Sequence, residues 1–238
     1  MLLCRMPSKY HALKEAVYAA NMRLPELGLV LFTFGNASAV DRAAGVMAIK
    51  PSGVPYAELT PEKIVVLDLE NKVVEGDLRP SSDTRTHALL YRHWPNIGGV
   101  VHTHSTYATA WAQAQLPIPI MGTTHADYLT VDVPCAPPMD DARIAGDYEE
   151  ETGHQIVDHF REQGLDPGEV PMILVGSHGP FAWGETVDEA VYHSGILEEV
   201  ARMAFLSRQI NPAAPRLQDS LIRKHWQRKH GKDAYYGQ

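Results

Sequence analysis

The chain has 238 residues, 21 basic against 29 acidic for a formal net charge of −8, with 45% hydrophobic and 21% charged side chains. That is the composition of an ordinary globular protein; its acidity argues against nucleic acid as a partner, and no apolar run reaches the ~20 residues that cross a bilayer. Two cysteines, Cys4 and Cys135, make no disulfide framework, and the leader Met1–Arg5 is shorter than a signal peptide's apolar region, so a soluble, cytoplasmic protein is expected.

Apolar positions Leu13, Val17, Ala20 and Leu24 predict a helix over 9–24, ending before Pro25. Short β-like segments follow at Leu29–Phe32, Val46–Ile49, Ile64–Leu69 and Val73–Val74, the last two joined as a hairpin around Glu70-Asn71. Ser81-Ser82-Asp83-Thr84 reads as a helix start, with the helix running to Trp94 before Pro95. Gly98–His102 has the pattern of a buried strand, 106–114 that of a helix, and Ile118–Met121 and Tyr128–Val133 those of short strands. A helix over 149–163, strands at Met172–Val175 and Pro180–Trp183, and a long helix over 187–209 complete the order. No linker, repeat, dinucleotide fingerprint or P-loop interrupts it. One α/β domain is expected, with a mixed or antiparallel sheet, since strands outnumber the intervening helices.

Two charge-dense segments stand out. Asp140–Glu151 holds six carboxylates against Arg143 alone, whereas Arg223–Lys232 holds five cationic side chains, His225 and His230, and no acid. The basic run suits a small phosphorylated ligand, an acidic neighbouring subunit or a solvated helix face.

The sharpest chemical signal is His102-Thr103-His104 at the end of an apolar strand. Side chains at i and i+2 share a face, so both imidazoles can converge on one divalent ion, although two histidines also close a strand with ordinary hydrogen bonds. His178, in Gly176-Ser177-His178-Gly179-Pro180, and Asp83, in the first turn of its helix, are further candidate ligands. Lys50-Pro51-Ser52-Gly53 offers an ammonium, a hydroxyl and an open backbone amide to a phosphate. Ser81-Ser82 offers hydroxyls and amides at a helix N-terminus. Gly35-Asn36 reads as a bend that adds an amide donor. His125-Ala126-Asp127 and the terminal Tyr235-Tyr236 are candidate acid–base groups, each equally readable as a turn or a docked tail.

In this order, Gly35–Val40, Ile49–Val54, Pro80–Thr84, Val101–Ser105, Gly122–Tyr128, Ser177–Gly184 and the terminal Lys229–Gly231 with Ala234–Gln238 resemble the class II aldolase/epimerase family from about residue 12 to the end. The resemblance implies one domain over 1–238, a three-layer α/β/α fold with a central, mainly antiparallel sheet, and a flexible extension over 1–11. It also implies a homotetramer with active sites at subunit interfaces. Matched motif by motif, Asp83, His102, His104 and His178 take the metal-ligand positions for one divalent ion per subunit. Zinc is the expected ion, with manganese and cobalt as alternatives.

By the same matching Asn36, Lys50, Ser52, Gly53, Ser81 and Ser82 hold the substrate and its phosphate, with His225 and Arg228 nearby. Asp127 and Tyr236 take the acid–base positions, Tyr236 arriving from a neighbouring subunit. The implied substrate is a small sugar phosphate, with no nucleic acid and no membrane involved. The epimerase branch is the best match, implying inversion of C4 of L-ribulose 5-phosphate by retro-aldol cleavage, aldehyde rotation and recombination. Resembling aldolases, such as those for L-fuculose 1-phosphate, carry glutamate at the position of Asp83. A non-catalytic adducin-head-like module has no need of three ligand histidines.

Overall fold

The computed structural model describes residues 8–232, 234 and 235. Helix α1 (His11–Glu26) precedes a first group of strands, β1 (Asn36–Asp41), β2 (Val46–Ile49), β3 (Val65–Asp68) and β4 (Val73–Glu75). Then come α2 (Thr84–His93), β5 (Gly99–His102), α3 (Thr106–Ala114), α4 (Thr123–Ala126), β6 (Cys135–Ala136), α5 (Asp141–Ile144) and α6 (Tyr148–Gln163). The hairpin of β7 (Met172–Val175) and β8 (Gly179–Gly184) leads into α7 (Val187–Ile210) and α8 (Asp219–His230).

The strands form one sheet in the order β4-β3-β2-β1-β5-β8-β7-β6, antiparallel throughout except for the parallel edge pair β6–β7. Its middle strands feed two cores, because successive side chains point to opposite faces. Met47, Ile49, Val65 and Leu67 join Leu90 and Tyr91 of α2 and Ile156 and Phe160 of α6. Val46, Ala48 and Val66 join Val17, Ala20 and Leu24 of α1 and Val191 of α7. The sheet is therefore sandwiched, as the resemblance implies.

Three expectations are corrected. Leu29–Phe32 is a loop rather than a strand, with Phe32 in the left-handed region at φ 56°. Ile118–Met121 and Tyr128–Val133 form no strands, only one bridge between Ile118 and Val133. Pro117, Pro119 and Pro134 remove the donors a ladder needs there, and α4 occupies the space between. Nor do residues 8–11 trail from the fold: Tyr10 is buried and Ser8 donates to Glu75 at 2.7 Å. The small, low-propensity sequence Asn36–Asp41 is a central strand, although its start reads in the sequence only as a bend. Pairing on both sides, with β2 and β5, outweighs its weak intrinsic preference.

Candidate metal and acid–base centres

His102 ends β5, and its ring stacks on Phe181 of the neighbouring strand with centroids 4.1 Å apart. Its Nδ1 lies 2.9 Å from the Pro180 carbonyl oxygen, an acceptor only, so Nδ1 carries the proton and Nε2 presents its lone pair. That nitrogen is 3.1 Å from His104 Nε2. His178 joins them, one ligand nitrogen from each of the three lying within 4.8 Å of the others. The triad is graded from buried His102 through half-buried His178 to exposed His104, so it opens to one side.

Glycine makes this convergence possible. A Cβ at Gly179 would come within 2.9 Å of the Thr103 carbonyl oxygen, so any side chain there would push the β7–β8 turn, and His178 with it, off the histidine pair. Burial holds His178 near a pKa of about 3 and also lowers His104, with His102 adding to both shifts. Neutral imidazoles in this geometry are what a divalent cation requires, and the donor set fits one.

Asp83, four residues before His87 on the first turn into α2, lines the same cavity but stands outside the tight triad. Burial raises its carboxyl, yet His102, His87, the Asn36 hydrogen bond and His178 together keep it below the ordinary carboxylate range. Asn36 Nδ2 donates to Asp83 Oδ2 at 2.6 Å and to Ser81 Oγ at 3.1 Å, while Asn36 Oδ1 is buried with no partner. Behind Asp83, His87 Nδ1 meets Ser38 Oγ at 2.7 Å, and burial lowers its pKa to about 3.

The cavity in front of the triad has a volume of about 400 Å³. Its walls bring together Asn36, Lys50, Ser52, Gly53, Ser81, Ser82, Asp83, His102, His104 and His178, ten of the residues singled out in the sequence. Lys50 is buried without a carboxylate; its Nζ sits 4.9 Å from the Tyr56 ring centre, and burial lowers its pKa. A cation that donates only to the Thr33 and Pro51 carbonyls among the described residues, at 3.5 and 3.4 Å, and shares its cavity with Ser52, Ser81 and Ser82 favours an anion. Phe34, Tyr148 and Glu149 also line the cavity, and no sequence signal marks Phe34 or Tyr148. Tyr148 and Glu149 belong to the acidic segment, whose other carboxylates mostly pair locally: Asp147 with Arg85, Glu150 with Arg92 at 2.9 Å, and Glu151 with Arg143 at 2.9 Å.

Asp127, His225 and Arg228 do not line this cavity. They form a second cluster at the junction of α4 and α8. Asp127 Oδ1 lies 2.9 Å from His225 Nδ1, and Arg228 reaches both carboxylate oxygens at 3.2 and 3.1 Å. His230 Nε2 meets the Asp127 carbonyl oxygen at 2.9 Å. Burial raises Asp127, but Arg228 and His225 hold it below its ordinary value. In the basic run Arg228 and His225 thus turn to Asp127, while Lys229 Nζ lies 3.5 Å from the Tyr128 ring centre. Tyr236 lies outside the described residues.

Residues 15–205 match the family model described as Class II Aldolase and Adducin N-terminal domain, and the chain belongs to that family. Among its relatives is the L-ribulose-5-phosphate 4-epimerase UlaF of Salmonella paratyphi B, 53% identical over 226 residues that cover 95% of this chain and 98% of that protein. Among solved structures, an L-fuculose 1-phosphate aldolase matches with a TM-score of 0.76 at 25% identity, covering 94% of this chain and 98% of that one. An l-fuculose-1-phosphate aldolase from Thermus thermophilus matches with a TM-score of 0.67 at 27% identity, over 86% of this chain and 98% of that one.

Proposed function

We propose that this protein interconverts L-ribulose 5-phosphate and D-xylulose 5-phosphate. The observation that carries the reading is one cavity in which a histidine triad faces the Lys50, Ser52 and Ser81–Ser82 donors. It occurs in a chain 53% identical over 226 residues to a protein named as such an epimerase. The C4–H bond is not beside the carbonyl, so direct deprotonation there is unfavourable. Breaking C3–C4 is easier: its electron pair moves into the C2 carbonyl, the C4 hydroxyl loses its proton, and the enediolate of dihydroxyacetone and glycolaldehyde phosphate result. Half a turn of the aldehyde before the bond re-forms inverts C4.

His102, His104, His178 and Asp83 would hold a divalent ion, zinc on the chemistry of three imidazoles and a carboxylate, which supplies Lewis-acid stabilisation of the developing negative charge. Lys50, Ser52, Gly53, Ser81 and Ser82 anchor the phosphate, and the unpartnered Asn36 Oδ1 accepts a sugar hydroxyl. Attack on opposite aldehyde faces leaves the C4 oxygen on opposite sides of the pocket, so two proton-transfer groups are needed, Asp127 and Tyr236. Because Asp127 does not line the cavity of its own chain, a second copy must bring it there. This supports a homotetramer with sites between subunits. Mixed assembly of a His102→Ala chain with an Asp127→Asn chain tests it: activity regained in the mixture supports shared sites, and none overturns them.

The reaction itself is tested by incubating purified, metal-loaded protein with L-ribulose 5-phosphate, with and without a strong chelator, and identifying products by NMR. Chelator-sensitive formation of D-xylulose 5-phosphate is expected. A folded, metal-loaded protein that forms none refutes the reading.

A further inference from the structure

An aldolase lets its aldehyde leave, whereas an epimerase must keep it while it turns. Nearly every wall of the cavity named above holds by polar contact; Phe34 is different. It lines the cavity with 54% of its surface exposed, and its ring lies 6.3 Å from that of His104 at 38°. Its side chain belongs to neither core, yet its backbone is fixed. The Phe34 amide donates to the Leu31 carbonyl at 3.0 Å, and Tyr56 donates its hydroxyl to the Phe34 and Gly35 carbonyls, both at 3.0 Å. Gly35, at φ 73°, is pressed against the metal-side strand: a Cβ there would meet the His102 carbonyl oxygen at 2.9 Å. Phe32 sits in the left-handed region, 81% exposed, and meets Phe34 edge-on at 6.0 Å. A phenylalanine in that conformation is disfavoured and persists only where its surroundings enforce it.

We infer that Phe34 is a specificity-determining wall that retains the two fragments of the cleaved substrate, so that C3–C4 re-forms instead of the aldehyde escaping. The inference rests on the epimerase reading above. An aromatic face offers no hydrogen bond to arrest the C4–C5 fragment as it turns, while its bulk, set beside His104, closes the way out. Without it, glycolaldehyde phosphate departs and the enediolate takes a proton from water at C3, giving dihydroxyacetone in equal amount.

The test compares wild type, Phe34→Ala and Phe34→Trp as metal-loaded enzymes. NMR quantifies D-xylulose 5-phosphate, glycolaldehyde phosphate and dihydroxyacetone in the same tube, and elemental analysis gives the metal content. Phe34 packs in no core, so all three chains should fold alike. The expected result is epimer with only a trace of free fragments from wild type, a released fraction at least tenfold higher from Phe34→Ala at unchanged metal content, and retention restored in Phe34→Trp. If Phe34→Ala turns over more slowly but releases no more fragments, the wall is refuted while the epimerase reading stands. Loss of metal from Phe34→Ala refutes it too, by making the residue a support of the triad. A wild type that forms no D-xylulose 5-phosphate defeats the epimerase reading and the wall with it.

Discussion

The two halves of the chemical machinery are built in opposite ways. The histidine triad stands at the end of the central strand β5 and on the β7–β8 turn, with the His102 ring set by the Pro180 carbonyl and the Phe181 ring. The Asp127 cluster stands on a four-residue helix and the peripheral α8, joined by side chains alone apart from the His230 contact to the Asp127 carbonyl. Groups that could converge on one ion tolerate little displacement, and the buried His102 takes its position directly from the sheet. Asp127, itself buried, is held by His225 and Arg228 rather than by the sheet.

Breaking either half should have separable consequences. His102→Ala removes the buried ligand, so metal retention by elemental analysis and epimerase turnover should both fall to background. Asp127→Asn should leave metal content unchanged and lower turnover by ~10²–10⁴-fold, the range of a lost acid–base group; intact turnover would remove Asp127 from the chemistry. Arg228→Met takes away a cation that holds the Asp127 carboxyl down. The aspartate then keeps its proton to higher pH, and the acid limb of the pH–rate profile should move upward, with a smaller rate loss than Asp127→Asn.

The rigid half carries a pH signature of its own. His87 is buried and neutral, its pKa lowered from 6.5 to about 3. Above pH 6.5 the folded and unfolded forms agree in charge there; below it the unfolded chain takes up a proton that the folded one refuses. Stability is therefore lost as pH falls from 6.5 toward 3, by about 1.4 kcal/mol per unit, or about 2 kcal/mol at pH 5. Denaturant unfolding should show this slope in wild type and a shallower one in His87→Gln. The smallest effect belongs to a site outside both halves. Thr186 Oγ1 accepts from the Glu189 amide at 3.2 Å as the N-cap of α7. Thr186→Ala should cost about 1 kcal/mol and leave metal content and turnover alone.

Much of the metal half is legible in the sequence because its signals are local. His102 and His104 are two residues apart at a strand end, and Ser81–Asp83 announce a helix start. The hairpin at Glu70-Asn71 forms where the turn residues predict it, with Asn71 in the left-handed conformation. Phe34 and Tyr148 give no signal: an aromatic residue in a loop looks alike whether it faces a cavity or solvent. The β-like run Leu29–Phe32 misleads because Leu29 and Val30 are buried while Leu31 and Phe32 are exposed, which is not the alternation of a strand.

The sequence by itself determined the donor chemistry, the principal helices and strands, and the family, since spacing and residue type are properties of the chain. Only the tertiary structure decided that ten of the singled-out residues share one cavity while Asp127, His225 and Arg228 make a separate cluster. The basic run shows why. Five cations in ten residues announce an anion, but that Arg228 among them meets Asp127, some hundred positions earlier, depends on where α8 docks. Charge attracts without naming its partner, and only the packing of α8 against α4 chooses it.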